Sequence, residues 1–279
     1  MIIDARIRPP FGGFLDLVVP FNFDIVSPLA KSLGLEAAKS GQTKSPDQML
    51  SEMKEAGITK GVIVGRQSPQ FGSVPNDDVA AFVKKYPGQF IGIGGIHPLP
   101  LENALTEVER CIKVLKFAGI ALEPGAASPS MYPNDRNFYP IYHACQKLEI
   151  PVYLTVSGFV GPHMGYSDPV YIDQVAVSFP KLKIVIAHAA YPFLHTMLYC
   201  SWIRPNVYLL PDLYPPYMPG GHEFANAANL FLEDRLIFGS AYPVASFKSI
   251  VEGYKKMPFK KGVLDKVFYH NAARLFKME

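Results

Sequence analysis

Near the N-terminus the segment Ile2-Ile3-Asp4-Ala5-Arg6-Ile7-Arg8 sets three charged side chains at alternate positions of an apolar run. In an extended strand alternate side chains share a face, so Asp4, Arg6 and Arg8 are expected together, with Ile3, Ala5 and Ile7 opposite. A buried guanidinium cannot be relieved by deprotonation and needs a carboxylate, a carbonyl or a bound anion. Asp4 could pair with one arginine, but a single carboxylate cannot fully serve two guanidinia. Arg6 and Arg8 are therefore candidate binding residues for an anion, and for a small organic substrate the natural anion is a carboxylate.

Further candidates stand where apolar runs end. His188 closes Ile186-Ala187-His188. An imidazole is the usual general acid or base near neutral pH, although a histidine bonded to a backbone carbonyl would look the same in sequence. Glu123 follows Ile120-Ala121-Leu122, and a carboxylate there facing Arg6 or Arg8 would neutralise it, with or without a role in proton transfer. Arg66 closes Val64-Gly65-Arg66 and His97 closes Gly95-Ile96-His97; both are candidate substrate contacts at the rim. Tyr242, after Ala241, either donates a hydrogen bond to substrate or packs beneath a loop. His163, in Gly161-Pro162-His163-Met164-Gly165, ranks behind His188. His97, Glu123 and His188 are also good ligand types for a metal, which defines an alternative, metal-dependent site.

The elements that must position these groups are legible as apolar, β-branched runs at 61–65, 90–96, 119–122, 151–156, 182–187, 206–210 and 235–239, which with the opening strand make eight. They are too uniformly apolar to be one-sided, as expected for parallel strands covered on both faces. Between them lies helical spacing, such as Leu105, Val108, Ile112 and Leu115 on one face. Eight alternations predict an α/β fold, a closed (β/α)8 TIM barrel, in a single domain spanning 1–279. A doubly wound sheet is the alternative, but no G-x-G-x-x-G follows the first strand. Two connections are long: an insertion at 9–44, with phenylalanines and an expected helix from about Pro28 to Ala38, and the Pro- and Tyr-rich stretch 211–222. Long loops after barrel strands serve as lids or dimer contacts, so a homodimer is a natural expectation.

Composition narrows the classes. The 279 residues are 49% hydrophobic with a net charge of +3, which offers no electrostatic footprint for nucleic acid. Cys111, Cys145 and Cys200 are widely spaced and odd in number, as in a reducing compartment. No run approaches a membrane span and no secretory signal opens the chain, so the expected location is the cytoplasm.

The opening Ile-Ile-Asp, the segment Phe138-Tyr139-Pro140-Ile141-Tyr142 with Ile150-Pro151-Val152, then Ile186-Ala187-His188, Phe238-Gly239-Ser240-Ala241-Tyr242-Pro243 and Asn271-Ala272-Ala273-Arg274-Leu275 occur in an order and spacing that resembles the amidohydrolase superfamily. The resemblance is to the branch of aminocarboxymuconate semialdehyde decarboxylase and covers essentially the whole chain. It implies a divalent metal held by an H-x-H on the first strand, by histidines ending the fifth and sixth, and by an aspartate ending the eighth. At those positions this sequence has Arg6 and Arg8, a residue near Thr155, His188, and Ala241. Arginine cannot donate a lone pair, and two fixed positive charges repel a cation while holding an anion. The expectation is therefore a site without metal or other cofactor, in which Arg6, Arg8 and neighbours such as Thr155 bind a small carboxylate or lactone. The reaction expected from the resemblance is hydrolysis with His188 as acid or base, decarboxylation being a variant. The competing readings are a non-catalytic carboxylate-binding barrel, a purely structural dimer subunit, and a hydrolase or decarboxylase with a rebuilt metal site.

Overall fold

A computed structural model describes residues 1–278. Seven of its strands are labelled here β1 (Ile2–Ile7), β2 (Ile58–Val64), β3 (Phe90–Gly95), β4 (Gly119–Leu122), β5 (Val152–Thr155), β6 (Ile184–Ala187) and β7 (Val207–Leu210). They hydrogen-bond in that order in one sheet, and a separate two-stranded piece pairs Gln67–Ser68 with Gly72–Ser73. The described residues cluster into two compact units: one of Met1–Val64, Ala81–Ile91 and the stretch from Asp212, the other of Gly65–Ala80 and Gly92–Pro211.

In the first unit β1 and β2 run parallel, with Asp4 opposite Gly61 and Ile7 opposite Ile63. Three steps along β1 match two along β2, so β1 bulges between Asp4 and Ile7 and the expected strict alternation of Asp4, Arg6 and Arg8 is interrupted. All six residues of β1 are buried. The expected strand at 235–239 is not a regular one. Phe238 O accepts from Ala5 N at 3.0 Å and Tyr242 makes an isolated bridge to Ile7. Between these contacts the ladder is replaced by side-chain bonds, Ser240 N to Asp4 Oδ1 and Tyr242 N to Ser240 Oγ, and by a left-handed Ala241 at φ 56°. The apolar filling is aromatic: Phe238 meets Tyr254 and Phe268 edge-on, each at 5.0 Å.

The insertion at 9–44 holds a 3-10 turn, Gly12–Asp16, and two helices, Phe23–Ser32 and Lys39–Thr43. The helix expected from Pro28 starts earlier, because the Asn22 side chain accepts from Asp24 N and caps the chain five residues before the proline. Pro28 is tolerated inside it, and the helix stops before Gly34, whose φ of 70° no other side chain adopts cheaply.

In the second unit β4 to β7 stand in exact register, Ile120 beside Val152, Ile184 and Val207. Nearly every residue of these strands is buried, as parallel strands covered on both faces require. The helix Leu101–Lys113 turns Ala104, Val108 and Cys111 inward. That face lies one position away from the expected Leu105, Ile112 and Leu115 stripe, since small residues allow the helix to sit close to its strand. No helix among the described residues is long and apolar enough to cross a membrane. The three cysteines are buried as free thiols.

Strand spacing leaves β4 no room for side chains at its start. A Cβ on Gly119 would lie 2.6 Å from the Pro151 carbonyl oxygen, a backbone atom that cannot yield alone. Gly119→Ala is expected to lower stability by about 1–3 kcal/mol, read from the guanidinium unfolding midpoint.

Candidate functional site

The first unit contains a cluster of buried charges at β1. Arg6, 3% exposed, donates from Nη1 to Asp212 Oδ2 at 3.1 Å. Asp212 is fully buried, follows β7 and Pro211, and has a left-handed backbone at φ 57°. Its carbonyl accepts the Tyr254 hydroxyl at 2.7 Å, which fixes the turn from the helix Phe247–Lys255. The Nε and Nη2 atoms of Arg6 have no hydrogen-bond partner among the described residues. These two nitrogens form one edge of the guanidinium, with parallel N–H vectors that match a carboxylate.

Asp4 is the third member. Its Oδ1 accepts from Arg6 N at 3.0 Å and from Ser240 N at 3.1 Å, while Oδ2 has no hydrogen-bond partner among the described residues. Burial pushes its carboxyl up to about 7, against the opposing pull of the Ser240 and Arg6 hydrogen bonds, and the nearby Asp212 carboxylate adds to the rise. The expected pairing of Asp4 with an arginine side chain is thus corrected. Asp4 binds the Arg6 backbone and ties β1 to Ser240, and the carboxylate on the guanidinium comes from Asp212, in the stretch read from sequence as a lid or dimer contact. Arg8 is buried at 6% exposure two residues beyond Arg6.

Tyr242 is in the same unit. Its hydroxyl lies 2.7 Å from Ser40 Oγ, which bonds Glu52 Oε2 at 2.6 Å, and its ring stacks on Phe247 at 4.4 Å. Burial raises its phenol well above the usual range. Of the two uses expected for Tyr242, the structure shows packing: the hydroxyl is engaged by the residues that pin the insertion.

In the second unit Arg66 and Glu123 form a buried ion pair. Arg66 Nε and Nη2 both reach Glu123 Oε1 at 2.9 Å, and the guanidinium lies over the Phe71 ring at 5.0 Å. The carboxylate expected to face Arg6 or Arg8 is bound to Arg66 instead. Glu123 follows β4 and Arg66 follows β2, so their strand-end positions, rather than sequence proximity, select the pair.

His188 follows β6 and opens a run of three left-handed residues, His188, Ala189 and Ala190, at φ 66°, 46° and 54°. Left-handed backbone costs an L-residue about 1–2 kcal/mol, and such strain clusters at functional sites. His97 Nδ1 lies 2.8 Å from Leu99 O, and its Nε2 accepts from Ser128 N at 3.4 Å, so this ring ties two loops together. Thr155 ends β5 and is buried. His163 Nδ1 accepts from Gly165 N and caps a 3-10 turn. Among the described residues no three of His, Cys, Asp or Glu group in a way that could hold a metal, and His97, Glu123 and His188 are not such a group.

A family model described as amidohydrolase matches residues 33–278. The chain belongs to the amidohydrolase family. A solved structure of an uncharacterized TIM-barrel protein from Bordetella bronchiseptica is 39% identical, covering 99% of this chain and 98% of that one at a TM-score of 0.96. That likeness carries the (β/α)8 TIM-barrel fold class to this amidohydrolase. Among curated proteins, a 2-keto-4-carboxy-3-hexenedioate hydratase from Sphingobium is 29% identical over 131 residues, 40% of this chain but only 38% of the hydratase. A gamma-resorcylate decarboxylase from Polaromonas is 21% identical over 244 residues, covering 73% of this chain and 75% of the decarboxylase.

Asp4 and Asp212 are the site members that sequence reasoning undervalued. Asp4 was read only as a partner for an arginine, and Asp212 gave no signal beyond being the one carboxylate in a Pro- and Tyr-rich stretch.

Two outcomes test this geometry. A folded-state carboxyl titrating near pH 7, against about 4 in the unfolded chain, binds a proton that the unfolded state has already lost. Stability is therefore expected to be highest at about pH 4 and to fall toward about pH 7 by up to about 1.4 kcal/mol per pH unit; Asp4→Asn, which keeps the acceptor for both backbone N–H groups, should remove that slope in thermal unfolding. Arg66→Met should cost about 3–5 kcal/mol by stranding the Glu123 charge, and the double variant Arg66→Met/Glu123→Leu should recover most of it in the same assay.

Proposed function

We propose that this amidohydrolase is an enzyme of a small carboxylic acid or its lactone, whose carboxylate is held on the Nε and Nη2 edge of Arg6. The observation that carries this reading is that edge: buried, oriented by Asp212 through Nη1, and without a hydrogen-bond partner among the described residues. Leaving buried donors unmet costs about 1–3 kcal/mol each, a cost that a planar anion removes. The names of the relatives support the ligand class, since both the hydratase and the decarboxylase act on compounds bearing carboxylates.

The family resemblance implies a divalent metal, and the donors at β1 do not fit one. Guanidinium nitrogens have no lone pair to give, and Asp212 already neutralises Arg6. The reading therefore routes no step through a metal. His188, at the position of the family's sixth-strand histidine, is assigned proton transfer, supported by its half-buried ring and by the strained backbone that holds it. Glu123 is assigned a supporting place, because its carboxylate is committed to Arg66. A carboxylate clamped by arginine is stabilised as the anion, so if the reaction is a decarboxylation, the group on Arg6 is the one retained. Decarboxylation or hydration is favoured by the relatives' names; hydrolysis of a lactone is the second reading, favoured by the family.

The test is a panel of unsaturated and aromatic carboxylic acids and their lactones, followed by release of carbon dioxide and by ring opening. Arg6→Ala is expected to weaken binding of the acid that turns over by about 2–5 kcal/mol, whereas His188→Ala should abolish turnover and leave affinity nearly unchanged. Unchanged affinity in Arg6→Ala would sink the anchor, and unchanged turnover in His188→Ala would leave a binding protein.

A further inference from the structure

We propose that Asp4 is a specificity-determining residue of the Arg6 anion site: in its neutral, protonated form it lets the site accept a carboxylate, so that the anion enters together with one proton. This rests on the reading of Arg6 as the anchor and adds the charge state in which that anchor works.

The geometry compares two states. Arg6 carries one positive charge, and Asp212, bonded to its Nη1, carries one negative charge. With Asp4 neutral, the buried cluster has no net charge and the open edge of Arg6 can accept an anion. With Asp4 ionised, the cluster is already negative, and a second anion on the same guanidinium would meet two carboxylates in a medium that screens them poorly. The groups facing Asp4 make the neutral form accessible near neutrality. From β1 there is the Arg6 backbone N–H, from residues 238–242 there is Ser240, from the turn after β7 there is Asp212, and on the helix Phe247–Lys255 there is the Tyr254 phenol. The two backbone N–H groups converge on Oδ1 alone, and Oδ2 has no hydrogen-bond partner among the described residues, so a proton on Oδ2 displaces no bond and becomes a donor. The balance is simple: the proton moves from solvent to Oδ2 as the anion arrives, and returns when it leaves.

The inference separates substrates as well as pH. A monocarboxylate bound with one proton leaves the cluster as neutral as it was with Asp4 ionised and the site empty. A second carboxylate on the ligand must therefore find its partner away from this cluster.

Two measurements test it. In the ligand-free protein, the carboxyl carbon of Asp4, assigned by backbone connectivity in 13C NMR, should titrate near neutral pH; titration in the ordinary aspartate range overturns the inference without any variant or ligand. Calorimetric titration with benzoate and with fumarate from about pH 5.5 to about pH 8.5 should show affinity falling about tenfold per pH unit above about 7, with uptake of one proton on binding. Asp4→Asn should bind with the low-pH affinity throughout. Affinity independent of pH in the wild type, but lost in Arg6→Ala, overturns the role of Asp4 and leaves the anchor standing. Failure of both probes to bind, or equal binding in Arg6→Ala, overturns the anchor and the inference with it.

Discussion

The pairing of Arg6 with Asp212 is the constraint around which the first unit is arranged. A guanidinium at 3% exposure is tolerated only because a fully buried carboxylate reaches it, and that carboxylate is in place only because Pro211 and a left-handed Asp212 turn the chain after β7. Removing one partner of such a pair strands the other in a low-dielectric interior, which is why buried pairs are costly to break even where their net contribution to stability is small. Tyr254 then anchors the turn through the Asp212 carbonyl.

Around that pair, backbone irregularities cluster where regular strands end. β1 bulges between Asp4 and Ile7, residues 235–239 give up their ladder in favour of Ser240 bonds to Asp4 and Tyr242, and Ala241 is left-handed. In the second unit the same pattern recurs after β6, with three left-handed residues beginning at His188. Regular strands supply rigid rods, and their ends are where the chain departs from the favoured backbone regions; in a family whose histidine position falls on one of those departures, the strain and the chemistry coincide.

The two buried ion pairs play different parts. Arg66 and Glu123 satisfy one another through two nitrogens on one oxygen, with Phe71 beneath the guanidinium, and form a closed structural unit. Arg6 is bound through one nitrogen only, and its other edge is turned to no acceptor among the described residues. The difference between a supporting pair and a binding residue lies in which N–H groups are already taken, and that is invisible in residue types.

The sequence by itself determined the fold class. Apolar runs at 119–122, 151–156, 182–187 and 206–210 could only be strands buried on both faces, and the residues observed there differ by a position or two at the ends. It also determined that Arg6 and Arg8 were unusual, because charge in an apolar strand demands a partner. What it left open was which partner. Asp4, nearest in sequence, took backbone N–H groups; Glu123 went to Arg66; and Arg6 was met by Asp212, 206 residues away. Periodicity reports which face of a strand is buried, whereas ion pairing depends on where strand ends meet, and a bulge or a left-handed turn moves an end by more than the length of a hydrogen bond. The tertiary structure alone decided those meetings, and with them which edge of Arg6 remained available.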